Sequence, residues 1–385
     1  MFLLFTVVMG TVLYLHFFFA HRCWRRVRGE VPEDIDPGYV RREDYFGQSF
    51  RTKLQSWLEL PAVAQSDGTR TIQHQHERIH ISPSRNFPDR AESDEVHVIE
   101  GDFTCGASSH FNREIYAQGN VTIGQGSECQ AIAADRDITL GPGVQVARWV
   151  DSHGDLRMAH GAIVYSRTSA RISAKLERGA EAHSVFAPLI ITWSAIRSAE
   201  PPPTPDAASP PTRLSIPPPP NTPPESWKNT GVDPAKFVPL GADCWIYRGS
   251  FLPATAIHLT APLVVRGDCD IPGGSLLEHD LKAARNLSVG ASAECRGNLI
   301  AEKSLSLARS VRFGGLVHAH DEILLRAGTH GESPAGPVAV DAGSWLYVEE
   351  GVTVHGKLSS GERVRVVDAS FAAAWAEKHK TKDRT

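Results

Sequence analysis

The chain has 385 residues, 40 Lys and Arg against 44 Asp and Glu, a formal net charge of −4 and 41% hydrophobic residues. Charge this evenly balanced leaves no electrostatic footprint for nucleic acid, and the length suits one large domain or two ordinary ones. Six cysteines without a CxxC pair or a Cys/His ligand spacing argue against a zinc site, and they neither require nor exclude disulfides.

Met1 to Ala20 is an apolar run without Asp, Glu, Lys or Arg, and Arg22, Arg25, Arg26 and Arg28 follow it. About 20 apolar residues cross a bilayer as a helix. A secretory signal would carry its positive charge before the run and end in a small-residue cleavage site. The charge order here predicts an uncleaved anchor over 1–20, with the body held on the cytoplasmic side of the inner membrane. An unusual signal peptide is the alternative.

Residues 21–95 read as a juxtamembrane connecting region. Phe46, Phe50, Leu54, Trp57 and Leu58 have helical spacing, which predicts a short amphipathic helix over about 42–59. Its apolar face has two destinations, a protein surface or the membrane surface; docking on protein is the commoner, while the arginines just before it favour the membrane. His74, His76 and His80 would share one face of a continuous strand. No nearby Cys or paired carboxylate supports a metal there, so they read as a solvated strand or linker.

From Val96 onward apolar residues recur every six positions and the pattern closes every eighteen. Phe103, Val121, Ile138, Leu156 and Ala174 form one column. Cys105, Ile123, Leu140, Met158 and Leu176 form a second. Cys129, Val146, Val164 and Ala182 follow six places on. Gly126, Gly143, Gly161 and Gly179 hold one corner, where glycine supplies a backbone conformation closed to other residues. A helix would repeat near 3.6 and a lone strand at 2, whereas a fixed period near twenty marks a solenoid. The fold predicted is an all-β, three-sided parallel β-helix with coils of about eighteen residues, the first array spanning 96–196.

Residues 197–240 break the pattern. Pro201 to Pro203, Pro210, Pro211, Pro217 to Pro220, Pro223 and Pro224 cannot donate to a sheet ladder, so the segment reads as an extended linker or insert. A ligand for a partner's aromatic groove is the second reading.

A second array spans 241–367. Cys269, Leu287, Leu305 and Ile323 align, as do Ile271, Val289, Leu307 and Leu325, with Phe251 one row earlier. Val348 repeats Leu325 at twenty-three instead of eighteen, which places a five-residue insertion within Thr329 to Gly343. The columns count five coils in the first array and six in the second. Cys105, Cys129, Cys269 and Cys295 all fall on inward columns, where free cysteine acts as a small hydrophobe. Residues 368–385 carry Phe371 and Trp375, then a basic tail, and predict a short helix that caps the last coil.

Val121-Thr-Ile123-Gly-Gln-Gly126, Ile138-Thr-Leu140-Gly-Pro-Gly143 and Leu287-Ser-Val289-Gly290, with Pro-rich flanks and an N-terminal apolar segment, resemble the bactofilins, the polymer-forming bacterial cytoskeletal proteins. The resemblance covers both arrays. It implies a right-handed triangular β-helix that assembles end to end without nucleotide or other cofactor, lies beneath the inner membrane and positions envelope or cell-wall proteins. Two arrays around a Pro-rich insert depart from the family's single uninterrupted array, which leaves a capped, non-polymerising scaffold open beside the polymer.

Two other function classes compete with this reading. A hexapeptide-repeat acyltransferase would use a histidine base, and His318 and His320, flanking inward Ala319, are the candidates; no nucleophile or carboxylate constellation accompanies them. A carbohydrate-active β-helix would use a carboxylate cluster, and Asp135, Asp137, Asp151 and Asp155 supply one on paper. Their corner-like positions explain them equally well. The residues expected to matter are therefore the core columns and coil ends, with no catalytic, cofactor or metal residues assigned.

Overall fold

Inward side chains spaced by six become three short strands per turn, each strand lying directly over its counterpart one turn away. A computed structural model describes residues 42–66, 68–74, 77–193, 214–216 (backbone), 230–241 and 243–380. The chain divides into a short unit, Met1–Tyr45, of which only 42–45 are described, and a large unit, Phe46–Thr385. The large unit is a β-solenoid of about 14 turns with about eighteen-residue spacing.

One side of array 1 shows the logic. Arg85–Phe87, Phe103–Cys105, Val121–Ile123, Ile138–Leu140, Leu156–Met158, Ser173–Glu177 and the end of Glu181–Trp193 pair in parallel, each with the next. In array 2 the matching side runs from Phe251 through Cys269–Ile271, Leu287–Val289, Leu305–Leu307, Ile323–Leu325 and Trp345–Glu349 to the end of Thr353–Val367. The column residues of both arrays are buried, from Phe103, Cys105, Val121, Ile123, Ile138, Leu140, Leu156, Met158 and Leu176 to Cys269, Ile271, Leu287, Val289, Leu305, Leu307, Ile323, Leu325 and Val348. A coil that cannot bury its own apolar face is completed by the coils above and below it.

The corners explain the glycines. Gly126, Gly143, Gly161 and Gly179 have φ between 66° and 77°, a region that penalises a Cβ. Arg90, Ser108, Ser292 and Ser310 occupy equivalent corners with φ of 55° to 60°. The left-handed corner is thus a property of the coil, imposed even where no glycine is present. At another corner, side-chain oxygens accept from the backbone one coil on: Asn120 N donates to Asp102 Oδ1 at 2.7 Å and Asp155 N to Asp137 Oδ1 at 2.8 Å. In array 2 Asn298 N donates to Asp280 Oδ1 and Leu316 N to Asn298 Oδ1, both at 2.8 Å. Each bond satisfies a donor that the corner would otherwise leave outside the ladder.

Coiling begins before Val96. Glu77–Ser82, Arg85–Phe87 and Glu92–Ser93 form the first turn, in parallel register with the strands that follow. It escapes a hydrophobicity reading because His80, Ser82 and Arg85 stand where later coils place apolar residues. Array 1 also continues past Ala182. The strand Glu181–Trp193 supplies a further turn, its register with Ala174 tightened to sixteen residues at Ile190. The turns therefore exceed the eleven expected. The insertion in array 2 lies between Gly331, eighteen after Phe313, and Val340, twenty-three after Val317.

The joint between the arrays is antiparallel. Strand Glu181–Trp193, the last of array 1, pairs with Thr353–Val367, the last of array 2, from Glu181 opposite Arg365 to Ile191 opposite Thr353. The arrays thus meet through their C-terminal coils with opposite direction. Leu214–Ile216 pairs in parallel with Ile257–Leu259 in the earliest coil of array 2, at the end away from the joint, and from Cys244 onward the coils run back toward array 1.

The two α-helices among the described residues lie on flanks. Helix Tyr45–Leu58 buries Phe50, Leu54 and Trp57 against Ile79, Ile81, Val96, Val98, Ala131, Ala133 and Trp149, outward residues of one side of array 1. Its amphipathic face is used on protein. Helix Ala369–Lys380 starts at Asp368, whose carboxylate accepts Phe371 N at 2.9 Å. It does not cap the last coil as expected. Trp375 and Ala372 pack on Leu324 and Val367, and Trp375 Nε1 donates to Glu322 at 2.6 Å, so the helix lies along the side of array 2. The coil end it was expected to close is already paired with array 1.

The expected Met1–Ala20 anchor lies outside the described residues, as do most of the Pro-rich insert and the end of the basic tail. Among the described residues no helix is long and apolar enough to cross a membrane.

Candidate functional site

The polar groups singled out from sequence are placed as follows. His74 and His80 do not share a strand face, because the chain reverses between them. Arg70–His74 and Glu77–Ser82 pair antiparallel, with Thr71 opposite His80. The His74 ring lies tilted beside Trp57, with ring centroids 6.2 Å apart, and His80 is buried; His76 lies outside the described residues.

His318 and His320 point outward on one side. His318 Nδ1 is 3.1 Å from Asp341 Oδ2, and Ser359 Oγ donates to Asp341 Oδ1 at 2.8 Å. The carboxylate stands between imidazole and hydroxyl. Activation of a serine needs the imidazole in the middle, so this order does not build a nucleophile. His320, largely exposed, pairs with Asp321 at 3.2 Å.

Asp135 and Asp151 do converge, but on a cation from the N-terminal helix. Arg51 Nε donates to Asp135 Oδ1 at 3.0 Å, its Nη2 to the Ala134 carbonyl at 2.8 Å, and its Nη1 to Asp151. Tyr116 donates to Asp135 at 2.6 Å and Ser169 to Asp151 at 2.5 Å. Burial first, then the bond to Asp135, raises the Tyr116 pKa. Burial and the Arg51 charge lower that of His153. Asp151 lies within a strand and away from a corner, under the helix, and a Cβ on Gly47 would fall inside its carboxylate. This cluster clamps a helix. Asp137 and Asp155 belong to the corner ladder already described.

The joint is clasped by polar groups as well as by its strand pairing. Arg363 Nη1 is 2.7 Å and Arg365 Nε 3.4 Å from the Glu181 carboxylate. The buried Thr192 hydroxyl donates to Glu349 O at 2.8 Å and accepts Val352 N at 2.9 Å. Nearby, Glu349 is buried with Arg326 at 2.6 Å. Cross-array pairs of this kind need residues more than 150 positions apart, and no local pattern announces them.

The two outer ends differ chemically, yet each carries a strand turned back on its first coil. At array 1, Arg70–His74 covers Glu77–Ser82, and Val63–Ala64 adds to Arg70–His74. The interior here mixes polar groups with the rings of Phe87, Phe103 and Phe111. His97 faces in, its Nε2 2.7 Å from Ser93 Oγ and its Nδ1 without a partner. At array 2, Phe237–Leu240 covers Cys244–Tyr247, and Phe237 sits 5.0 Å from the Tyr247 ring and 6.2 Å from Phe251. A backward strand satisfies edge groups that would otherwise template another chain.

One further group, not singled out from sequence, is brought together by the coil. His330, Glu332 and His355 converge from two neighbouring turns, with His330 Nε2 3.0 Å from Glu332 Oε2. The His330 bond first, then the charge of His355, holds the Glu332 carboxyl below its ordinary pKa. The signal available was an H-x-E triplet, but its partner lies across the five-residue insertion.

Burial raises the thiols of Cys105, Cys129, Cys269 and Cys295, which are free and inert in the core. Comparison with protein-family models, with characterised proteins and with solved structures finds no match.

Proposed function

We propose that the chain is a structural scaffold of the capped, non-polymerising kind, a bactofilin-like β-helix whose coil ends are consumed within one molecule. The carrying observation is the antiparallel pairing of Glu181–Trp193 with Thr353–Val367. An open filament needs a free coil end on each subunit to generate a repeating head-to-tail contact. Here one end of each array faces the other array, and each remaining end bears a reversed strand on one of its sides. The Met1–Ala20 run and the arginines after it support a tether to the inner membrane, with the body on the cytoplasmic side. Envelope or cell-wall proteins are the partners this reading implies, held along the flat sides.

The test is electron microscopy and light scattering of residues 30–385. At ~4.8 Å per stacked strand, 14 turns extend roughly 65 Å. The expected result is a monodisperse monomer of about that length; filaments would overturn the capped reading. A reporter fused to the C-terminus of the full chain tests the tether, and activity only in the periplasm would refute the orientation.

A further inference from the structure

We propose that His330, Glu332 and His355 bind one divalent transition-metal ion of the zinc class and so tie the last coil of array 2 to the coil before it. The placement follows from the strand period. His330 and Glu332 flank inward-facing Gly331, so both project outward on one side. Val354 is the register partner of Gly331, and His355 follows it on the adjacent coil. The candidate ligand atoms all lie within 4.8 Å of one another, and the two imidazoles meet edge to face at 5.4 Å.

Zinc bonds of about 2.0–2.2 Å place ligand atoms roughly 3–3.5 Å apart. His330 and Glu332 already have that spacing, and His355 reaches it by side-chain rotation. Two imidazoles and one carboxylate suit zinc and its neighbours, whereas magnesium and calcium favour oxygen ligands alone. Three ligands leave a fourth position facing solvent, for water or a donor from another molecule. Arg312, the register neighbour of His330 on the preceding coil, is exposed, so solvent and salt screen its charge. Glu332 also opens the five-residue insertion, and His355 belongs to the strand that pairs with array 1. An ion here would brace array 2 where its register steps and where the joint begins.

The test is a titration of the full chain, carrying no histidine tag, with Zn²⁺ by calorimetry and with Co²⁺ by absorption at neutral pH. One equivalent should bind in the micromolar range, with cobalt bands of nitrogen and oxygen ligation. His330→Ala and His355→Ala should each weaken binding by at least about tenfold, and Glu332→Gln by less. His318→Ala, an outward histidine with its own carboxylate, should leave binding unchanged. Affinity should fall in acid, because an imidazole ligates only when unprotonated. Full-strength binding in His355→Ala, equal binding of Mg²⁺, or no bound equivalent would each overturn the proposal.

Discussion

His97→Leu should flatten the acid side of the stability curve of array 1. His97 is 2% exposed and faces into the coil, in one column with Ile115 and Ile132. The rings of Phe87, Phe111 and His80 lie 5.2, 5.7 and 5.9 Å away. Burial, followed by the charges of His80 and Arg85, lowers its pKa to about 3. The unfolded chain titrates near 6.5. Below that pH the unfolded state takes a proton that the folded state refuses, so stability is lost as pH falls from about 6.5 to about 3 and is fully retained above. Each unit is worth about 1.4 kcal/mol, and the loss from pH 7 to pH 5 is about 2 kcal/mol. Leucine suits the column and carries no proton. Because a solenoid opens coil by coil, the assay is amide exchange over residues 96–117 in both proteins at the same pH. Protection in the wild type should fall roughly thirtyfold more between pH 7 and pH 5 than in the variant. His153, also lowered by burial, leaves some slope of the same sign in both. Equal slopes would refute the assignment.

Two further perturbations address the clamp and the joint. Arg51→Ala removes the cation from Asp151, whose side chain is 3% exposed, and should destabilise the docked helix by about 3 kcal/mol. The fluorescence of Trp57 and Trp149 should then shift to the red, and an unchanged spectrum would count against a helix clamp. Thr192→Val keeps the side-chain shape but strips Val352 N of the hydroxyl that accepts its bond, a loss of about 1–3 kcal/mol. Exchange should quicken across residues 349–354, and wild-type protection there would show that the strand pairing holds the joint without this hydroxyl.

How far the fold could be read follows from where its information sits. Parallel stacking places Val121 over Phe103 and Leu305 over Leu287, so each column is written in the chain at a fixed interval. The corner glycines and the step of twenty-three before Val348 are legible for the same reason. The first turn was hidden because the array 1 end is polar at His80, Ser82 and Arg85, where hydrophobicity stops reporting the register. The last turn of array 1 was hidden by its shortened step to Ile190. Asp135 and Asp151 were visible as carboxylates, but their role depends on Arg51, supplied by a helix about eighty residues or more away.

What the amino-acid sequence determined by itself is the coil: its period, its inward columns and its corner backbone, all set by contacts between residues about eighteen positions apart. Only the tertiary structure decided how the coils end. The reversal between the arrays, the turned-back outer strands and the meeting of His330 and Glu332 with His355 arise from edges and neighbours distant in the chain or out of register. A repeat specifies its own stacking, but a strand edge is satisfied by whichever strand the rest of the fold delivers to it.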